Sequence, residues 1–296
     1  MQFAPKMETG KTLGAFATVM VILCVLTCDA SDNAVVLSGS FVPFFFDGYK
    51  LIIAAASLAM PLVGGDSPVR NECKIVILGP HSMLASSGYT SAIATTAGKQ
   101  NNVQFSNDFG RAAFTRHPNN PEKMAHFWGH QMIRALNLVV PIRDLAAAKN
   151  GLVVFSIFGT ESAGKIKVWR SEVHYSNGQL RQSSDEIKNL GSGIFTTGYK
   201  EYVSEYEAAK TSRSAALREK VQKESSFVDS DAFYIGGMVE AVESWAGDKS
   251  IGGPVEIATL RVGQSAKWIK HKQNCQQSDY GAFADLQRQI NRQQGH

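Results

Sequence analysis

Three residue types that serve acyl-transfer chemistry are spaced along the first third of the chain. Ser40 follows Gly39, Lys74 follows Cys73, and Gly88 ends the small-residue run Ala-Ser-Ser-Gly. A serine hydroxyl attacks a carbonyl when a base accepts its proton. A lysine ammonium stabilises nearby negative charge, and a glycine lets a backbone N–H approach a developing oxyanion closely. Whether these residues act together depends on the elements that carry them.

The spacing of these residues resembles the opening of the proteasome β-type N-terminal-nucleophile (Ntn) hydrolases. That family begins with a nucleophilic Thr, Ser or Cys, continues through an Ala-Asp-Ser-Arg segment, and then has a strand that starts with a catalytic Lys and a strand that ends in Gly. Here Ala56 lies sixteen residues after Ser40, and Gly88 lies fourteen residues after Lys74, as in the family.

A later segment adds to the resemblance. Residues 248–253 read Asp-Lys-Ser-Ile-Gly-Gly and resemble the Asp-x-x-Ser-Gly-Gly stretch that supports the family's nucleophile. The resemblance runs from Ser38 to about Trp268. It is strongest to exported bacterial members, which share the Gly-Gly-Pro ending found here at 252–254.

Membership of this family would imply an α+β fold, the four-layer αββα Ntn sandwich, with helices outside two antiparallel sheets. It would also imply cleavage between Gly39 and Ser40, after which the free α-amine of Ser40, with a pKa of ~7.7–8.0, accepts the hydroxyl proton. Lys74 would lower the pKa of that amine, Gly88 would offer an oxyanion N–H, and Asp248 would support the nucleophile.

Three residues depart from the family's pattern. Ala56 stands in place of the Asp, Leu58 in place of the Arg, and Ile251 in place of a Ser. The family's Asp pairs with the Lys, so Lys74 lacks that partner, and we expect Asp248 to pair with it instead. The departures leave two functions open. One is an exported amide or peptide hydrolase, and the other is a catalytically inactive Ntn-fold protein that binds or scaffolds.

Apolar runs and turn residues indicate the elements that must position these residues. Strands are predicted at 34–37, 41–46, 51–56, 73–78, 82–87, 152–158 and 165–175, and as a hairpin at 254–262 and 265–270. Tight turns are predicted at Asp47-Gly48 and Asn177-Gly178. Helices are predicted from Pro121 to Leu138 and over most of 200–246. Blocks of strands separated by helices predict an α+β architecture.

Residues 1–30 have the pattern of a secretory signal peptide. Two lysines precede an uncharged run from Thr12 to Cys28, which is short against the ~20 residues of a comfortable membrane span. We therefore expect a secreted or periplasmic protein, with an uncleaved membrane anchor as the alternative. The rest of the chain divides into an Ntn-hydrolase-like domain at 31–275 and a polar C-terminal tail at 276–296.

The expected export determines how the four cysteines are interpreted. Cys24 and Cys28 fall in the presumed leader, so the mature chain keeps Cys73 and Cys275. In an oxidising compartment, two remaining cysteines predict one disulfide bond between them.

The overall charge bears on possible binding partners. The net charge of +4 is mild, and the lysines and arginines are scattered along the chain, so we expect no nucleic-acid partner. His126 and His130 share a helical spacing but lack the acid that a zincin motif places after its first His, so we expect no metal and no cofactor. The expected substrate is an unknown peptide or amide, and a homo-oligomer stays open.

Overall fold

The computed structural model describes residues 35–38, 41–56, 58–61, 70–96, 99–188, 191–195, 200–208, 211–224, 229–246, 252–271 and 280–292. By their contacts, these residues all belong to one unit, Ala34–His296. The predicted signal peptide lies outside the described residues. Five other residues named above do so too, and these are Gly39, Ser40, Asp248, Ile251 and Cys275.

Fifteen strands are present among the described residues. They are β1 (Val35–Ser38), β2 (Val42–Phe46), β3 (Lys50–Ala55), β4 (Leu58–Pro61), β5 (Arg70–Asn71), β6 (Ile75–Gly79), β7 (Ser82–Gly88), β8 (Ser91–Thr96), β9 (Lys99–Val103), β10 (Leu152–Ser162), β11 (Lys165–Ser176), β12 (Gln179–Glu186), β13 (Gly191–Phe195), β14 (Glu256–Arg261) and β15 (Lys267–Lys270).

The strands form three five-stranded sheets, and neighbouring strands pair antiparallel. Sheet I has the order β13-β2-β3-β14-β15, sheet II has the order β12-β11-β10-β7-β6, and sheet III has the order β5-β4-β1-β8-β9. Sheet III places β1 at its centre, between β4 and β8.

Seven α-helices accompany the sheets in the described part of the chain. They are α1 (Phe105–Arg116), α2 (Pro121–Val139), α3 (Ile142–Ala146), α4 (Lys200–Ala208), α5 (Ser212–Glu224), α6 (Ser230–Trp245) and α7 (Tyr280–Arg292). None of these helices combines the length and the apolar character that crossing a membrane requires.

Strand β3 shows why its sequence is apolar throughout. Successive side chains of a strand point to opposite faces. Leu51 and Ile53 enter an apolar cluster shared with residues of sheet II, whereas Ile52 and Ala54 enter a cluster shared with helix α6. Both faces of sheet I at β3 are therefore covered by apolar residues. For this reason β3 does not alternate between apolar and polar residues, as a half-exposed strand would.

Sheet II is covered in the same way. Its inner face contributes Met83 and Ile157 to the cluster shared with sheet I. Its other face contributes Leu84 and Phe158 to a third cluster, which includes Trp128 of α2 and residues of α1. The described core thus consists of three apolar clusters, one between the two sheets and one under each group of helices.

Local chemistry explains where α2 and the hairpin turns lie. Asn120 caps α2, because its side chain accepts a hydrogen bond from the Lys123 N–H, and Pro121 follows at the first helical position. Asn177 and Gly178 both have positive φ, 51° and 78°, as a tight hairpin between β11 and β12 requires.

The α+β prediction is confirmed, since the strands predicted in the described residues, the 121–138 helix and the Asn177-Gly178 turn are all present. Helix α1 and strands β8 and β9 were not predicted. Helix α1 lacks the usual signals, because Gln104 provides no side-chain cap and Gly110 lies inside the helix.

Candidate active site

Lys74 is buried, with 1% of its surface exposed, in the short segment between β5 and β6. Its Nζ donates hydrogen bonds to Glu72 Oε2 at 2.9 Å and to Thr90 Oγ1 at 3.0 Å. A lysine ammonium carries three N–H donors. The third has no hydrogen-bond partner among the residues that the structure describes.

The Glu72 carboxylate is the acid beside Lys74. Its Oε2 accepts from Lys74 Nζ and, at 3.3 Å, from Thr90 Oγ1, while its Oε1 accepts from Ser91 Oγ. The residue is as buried as Lys74. Sequence analysis did not identify Glu72, although its position two residues before Lys74 in an extended segment is a signal that could have found it. Asp248, the acid expected there, lies outside the described residues.

A second buried carboxylate contacts the backbone of the same lysine. Glu256 Oε2, in β14, accepts a hydrogen bond from the Lys74 N–H at 3.2 Å. Glu256 Oε1 lies 3.6 Å from Nδ1 of His271. The half-exposed His271 ring stacks on Trp268 at a centroid distance of 4.1 Å. Glu256 therefore holds the backbone of Lys74 in place, while Glu72 holds the side chain of Lys74.

The end of the first hairpin lies next to these groups. The Ala56 N–H donates to the Phe41 carbonyl at 3.5 Å, and the preceding Ala55 is the cross-strand partner of Glu256. Phe41 is the residue to which Ser40 is joined. The chain immediately after Ser40 is thus linked through Ala56 and Glu256 to Lys74.

Ala56 itself occupies an apolar environment. It is fully buried in the cluster that contains Phe41, Val242 and Val255, whereas Ala55 belongs to the cluster between the sheets. An aspartate at position 56 would therefore lie among apolar side chains. This explains why an alanine is accommodated where the family pattern has an acid.

Gly88 is held close to the Lys74 segment by the strand that carries it. Two residues before it, the Ser86 N–H donates to the Lys74 carbonyl at 3.0 Å, and two residues after it, Thr90 accepts from Lys74 Nζ. Gly88 has φ +95°, and a Cβ there would lie 2.3 Å from the Val153 carbonyl oxygen. A glycine is required at this position by conformation and by space.

Cys73 is also anchored at this place. Its carbonyl accepts a hydrogen bond from Asn107 Nδ2 at 2.7 Å, which ties the segment to the first turn of α1. Cys275 lies outside the described residues, so a disulfide bond between Cys73 and Cys275 stays a prediction.

The structure thus brings Lys74 and Gly88 together and adds three partners that sequence analysis missed, Glu72, Thr90 and Glu256. A buried ammonium can hold and stabilise a nucleophilic oxygen. Within the described residues, no group of three metal-ligating side chains is assembled.

No family model matches the chain, and no curated protein matches it.

Proposed function

We propose that the chain is an Ntn-type amide or peptide hydrolase whose nucleophile is Ser40, released by cleavage before it, with Lys74 as its electrostatic partner. The observation that carries this proposal is the buried Lys74 ammonium beside the hairpin that begins at Phe41, because two of its three N–H groups have partners in the described part of the chain.

The packing supports the four-layer αββα sandwich as the fold. Helices α1 and α2 cover one face of sheet II, sheets I and II share a core, and helix α6 covers the other face of sheet I. The chain order also fits, because helices α1 to α3 follow the first nine strands and helices α4 to α6 precede the last two strands of sheet I.

Release of the nucleophile is the first proposed step. The Ser40 hydroxyl oxygen adds to the Gly39 carbonyl carbon, the Gly39–Ser40 C–N bond breaks, and the hydroxyl proton ends on the Ser40 nitrogen. Water then hydrolyses the resulting ester. The products are a carboxylate at Gly39 and a free α-amine and hydroxyl at Ser40.

The hydrolytic cycle repeats this chemistry on a substrate amide. The α-amine of Ser40 accepts the hydroxyl proton as the oxygen attacks, and the leaving amine takes that proton as the C–N bond breaks. Water hydrolyses the acyl-enzyme and restores the hydroxyl. The Lys74 N–H stabilises negative charge on the Ser40 oxygen, and a backbone N–H near Gly88 serves the oxyanion.

The alternative is an inactive Ntn-fold protein that binds or scaffolds, and one observation favours it. Strand β1, which ends two residues before Ser40, pairs with β4 on one side and with β8 on the other. A chain that is never cut would retain this strand as a covalent part of sheet III.

Intact mass and N-terminal sequencing of the purified, exported protein distinguish the two. We expect a mature chain that begins at Ser40, and we expect Ser40→Ala to prevent that cut while leaving thermal unfolding unchanged. Ser38→Ala is the matched control and should be cut normally. A wild-type chain that begins at Ser31 or Met1 contradicts the proposed hydrolase and supports the uncut binding protein.

A further inference from the structure

The acid that holds Lys74 comes from a different element than the family pattern implies. We infer that Glu72 is the positioning residue of this site, holding the Lys74 ammonium in a fixed orientation for the Ser40 nucleophile. The inference rests on the proposed function. It assigns to Glu72, on the lysine's own segment, the task that an acid at position 56 would otherwise perform.

Burial makes a counter-charge necessary. Lys74 and Glu72 are each almost wholly removed from solvent. A buried charge is costly unless an opposite charge pairs with it, because burial penalises the charged form. The Glu72 carboxylate lies 2.9 Å from Nζ and is that opposite charge.

Orientation follows from how Glu72 is itself held. The Ser91 hydroxyl donates to one carboxylate oxygen, and the Thr90 hydroxyl and Lys74 Nζ donate to the other. Thr90 also accepts from Nζ at 3.0 Å. Two of the three N–H groups of Lys74 are therefore directed by fixed acceptors, and the direction of the third is determined by them.

Glu256 does not perform the same task. Its carboxylate accepts from the backbone N–H of Lys74, and its other oxygen faces His271. It positions the chain and adds a second negative charge behind the lysine. The Nζ atom is reached by Glu72 and Thr90 among the described residues, so the orientation of the ammonium is assigned to Glu72.

Self-cleavage before Ser40 provides a readout that needs no external substrate. Glu72→Gln keeps the size of the side chain but removes its charge, whereas Glu72→Asp keeps the charge and shortens the side chain. We expect Glu72→Gln to slow cleavage by on the order of 10–100-fold, comparable with the loss of outer-shell partners in metal enzymes. Glu72→Asp should retain more activity than Glu72→Gln. A residue that matters only for packing would give the opposite order.

Controls keep the inference separate from the proposed function. Glu219→Gln, which removes an exposed carboxylate on α5, should cleave like wild type. If Glu72→Gln does not fold, Ser91→Ala carries the test, because it removes one donor to Glu72 and should also slow cleavage. Normal cleavage in a folded Glu72→Gln or Ser91→Ala overturns the inference alone. A wild-type chain that is never cut overturns the proposed function.

Discussion

The Lys74 ammonium and the Glu72 carboxylate form an ion pair of 2.9 Å in which neither side chain reaches solvent. The two residues are separated by Cys73 alone, so one short segment carries both charges. The pair is neutral as a unit, which is why it can be buried between sheet edges. Each partner depends on the other, and this dependence leads to the first prediction.

Removing one partner of the pair should cost more than removing both. Lys74→Met leaves Glu72 as an unpaired buried charge, and Glu72→Gln does the same to Lys74, so each should destabilise by about 3–5 kcal/mol. The double variant Lys74→Met/Glu72→Gln should lose much less than the sum. Urea denaturation of the four proteins measures this coupling. Additive losses would show that the two charges are independent.

Gly88→Ala should be more destabilising than Gly164→Ala. Both glycines have positive φ, which costs an alanine about 1–2 kcal/mol. A Cβ at Gly88 also meets the Val153 carbonyl oxygen at 2.3 Å, whereas a Cβ at Gly164 meets nothing within 4 Å. We expect a further cost of about 1–3 kcal/mol at Gly88 from this overlap, measured by chemical denaturation. Equal losses in the two variants would mean that the overlap is relieved without cost.

The proposed disulfide between Cys73 and Cys275 should be detectable in the exported protein. Peptide mapping without reduction should recover a linked peptide that contains both residues, and alkylation before reduction should label neither. Reduction should lower stability by about 2–5 kcal/mol, because the bond closes a long loop. Recovery of free Cys275 would contradict the pairing.

Glu205 should contribute pH-dependent stability. Hydrogen bonds from Arg213 and then Thr211 lower the pKa of this carboxyl from 4.5 to about 2. A carboxyl whose pKa is lowered by folding stabilises the protein above its unfolded pKa, and this contribution disappears as the pH falls toward about 2. Glu205→Gln should therefore destabilise at pH 7 and progressively less between pH 4.5 and 2.

Arg213 is half-exposed and Glu205 is partly exposed, so added salt should reduce the effect of Glu205→Gln. A difference between wild type and Glu205→Gln that stays constant from pH 7 to pH 3 would contradict the assignment.

Much of the strand framework could be predicted from the sequence, because its signals are local. The continuous apolar run of β3 indicates burial on both faces, and Asn177-Gly178 accepts the positive φ of its turn. Strands β8 and β9 carry Thr, Asn and Gln and gain their structure from pairing with β1 and with each other. Such pairing is a long-range property that no local pattern shows.

The site was predictable only in part, for a related physical reason. Lys74 and Gly88 were found through spacing. Thr90 reaches Lys74 from the connection between β7 and β8, and Glu256 reaches it from β14, so their distances along the chain give no signal. Glu72 could have been found, since residues two apart in an extended segment share a face. The sequence analysis expected Asp248 to be the acid that pairs with Lys74.

Strand β1 gives cleavage before Ser40 a consequence beyond the release of a nucleophile. The strand pairs on both sides, through Leu37 with Pro61 of β4 and with Ser91 of β8. After the cut, this central strand would belong to a separate peptide that ends at Gly39. The mature protein would then be a complex of two fragments held by backbone pairing. Loss of the smaller fragment would leave two unpaired strand edges facing each other, able to take up that peptide again by complementation.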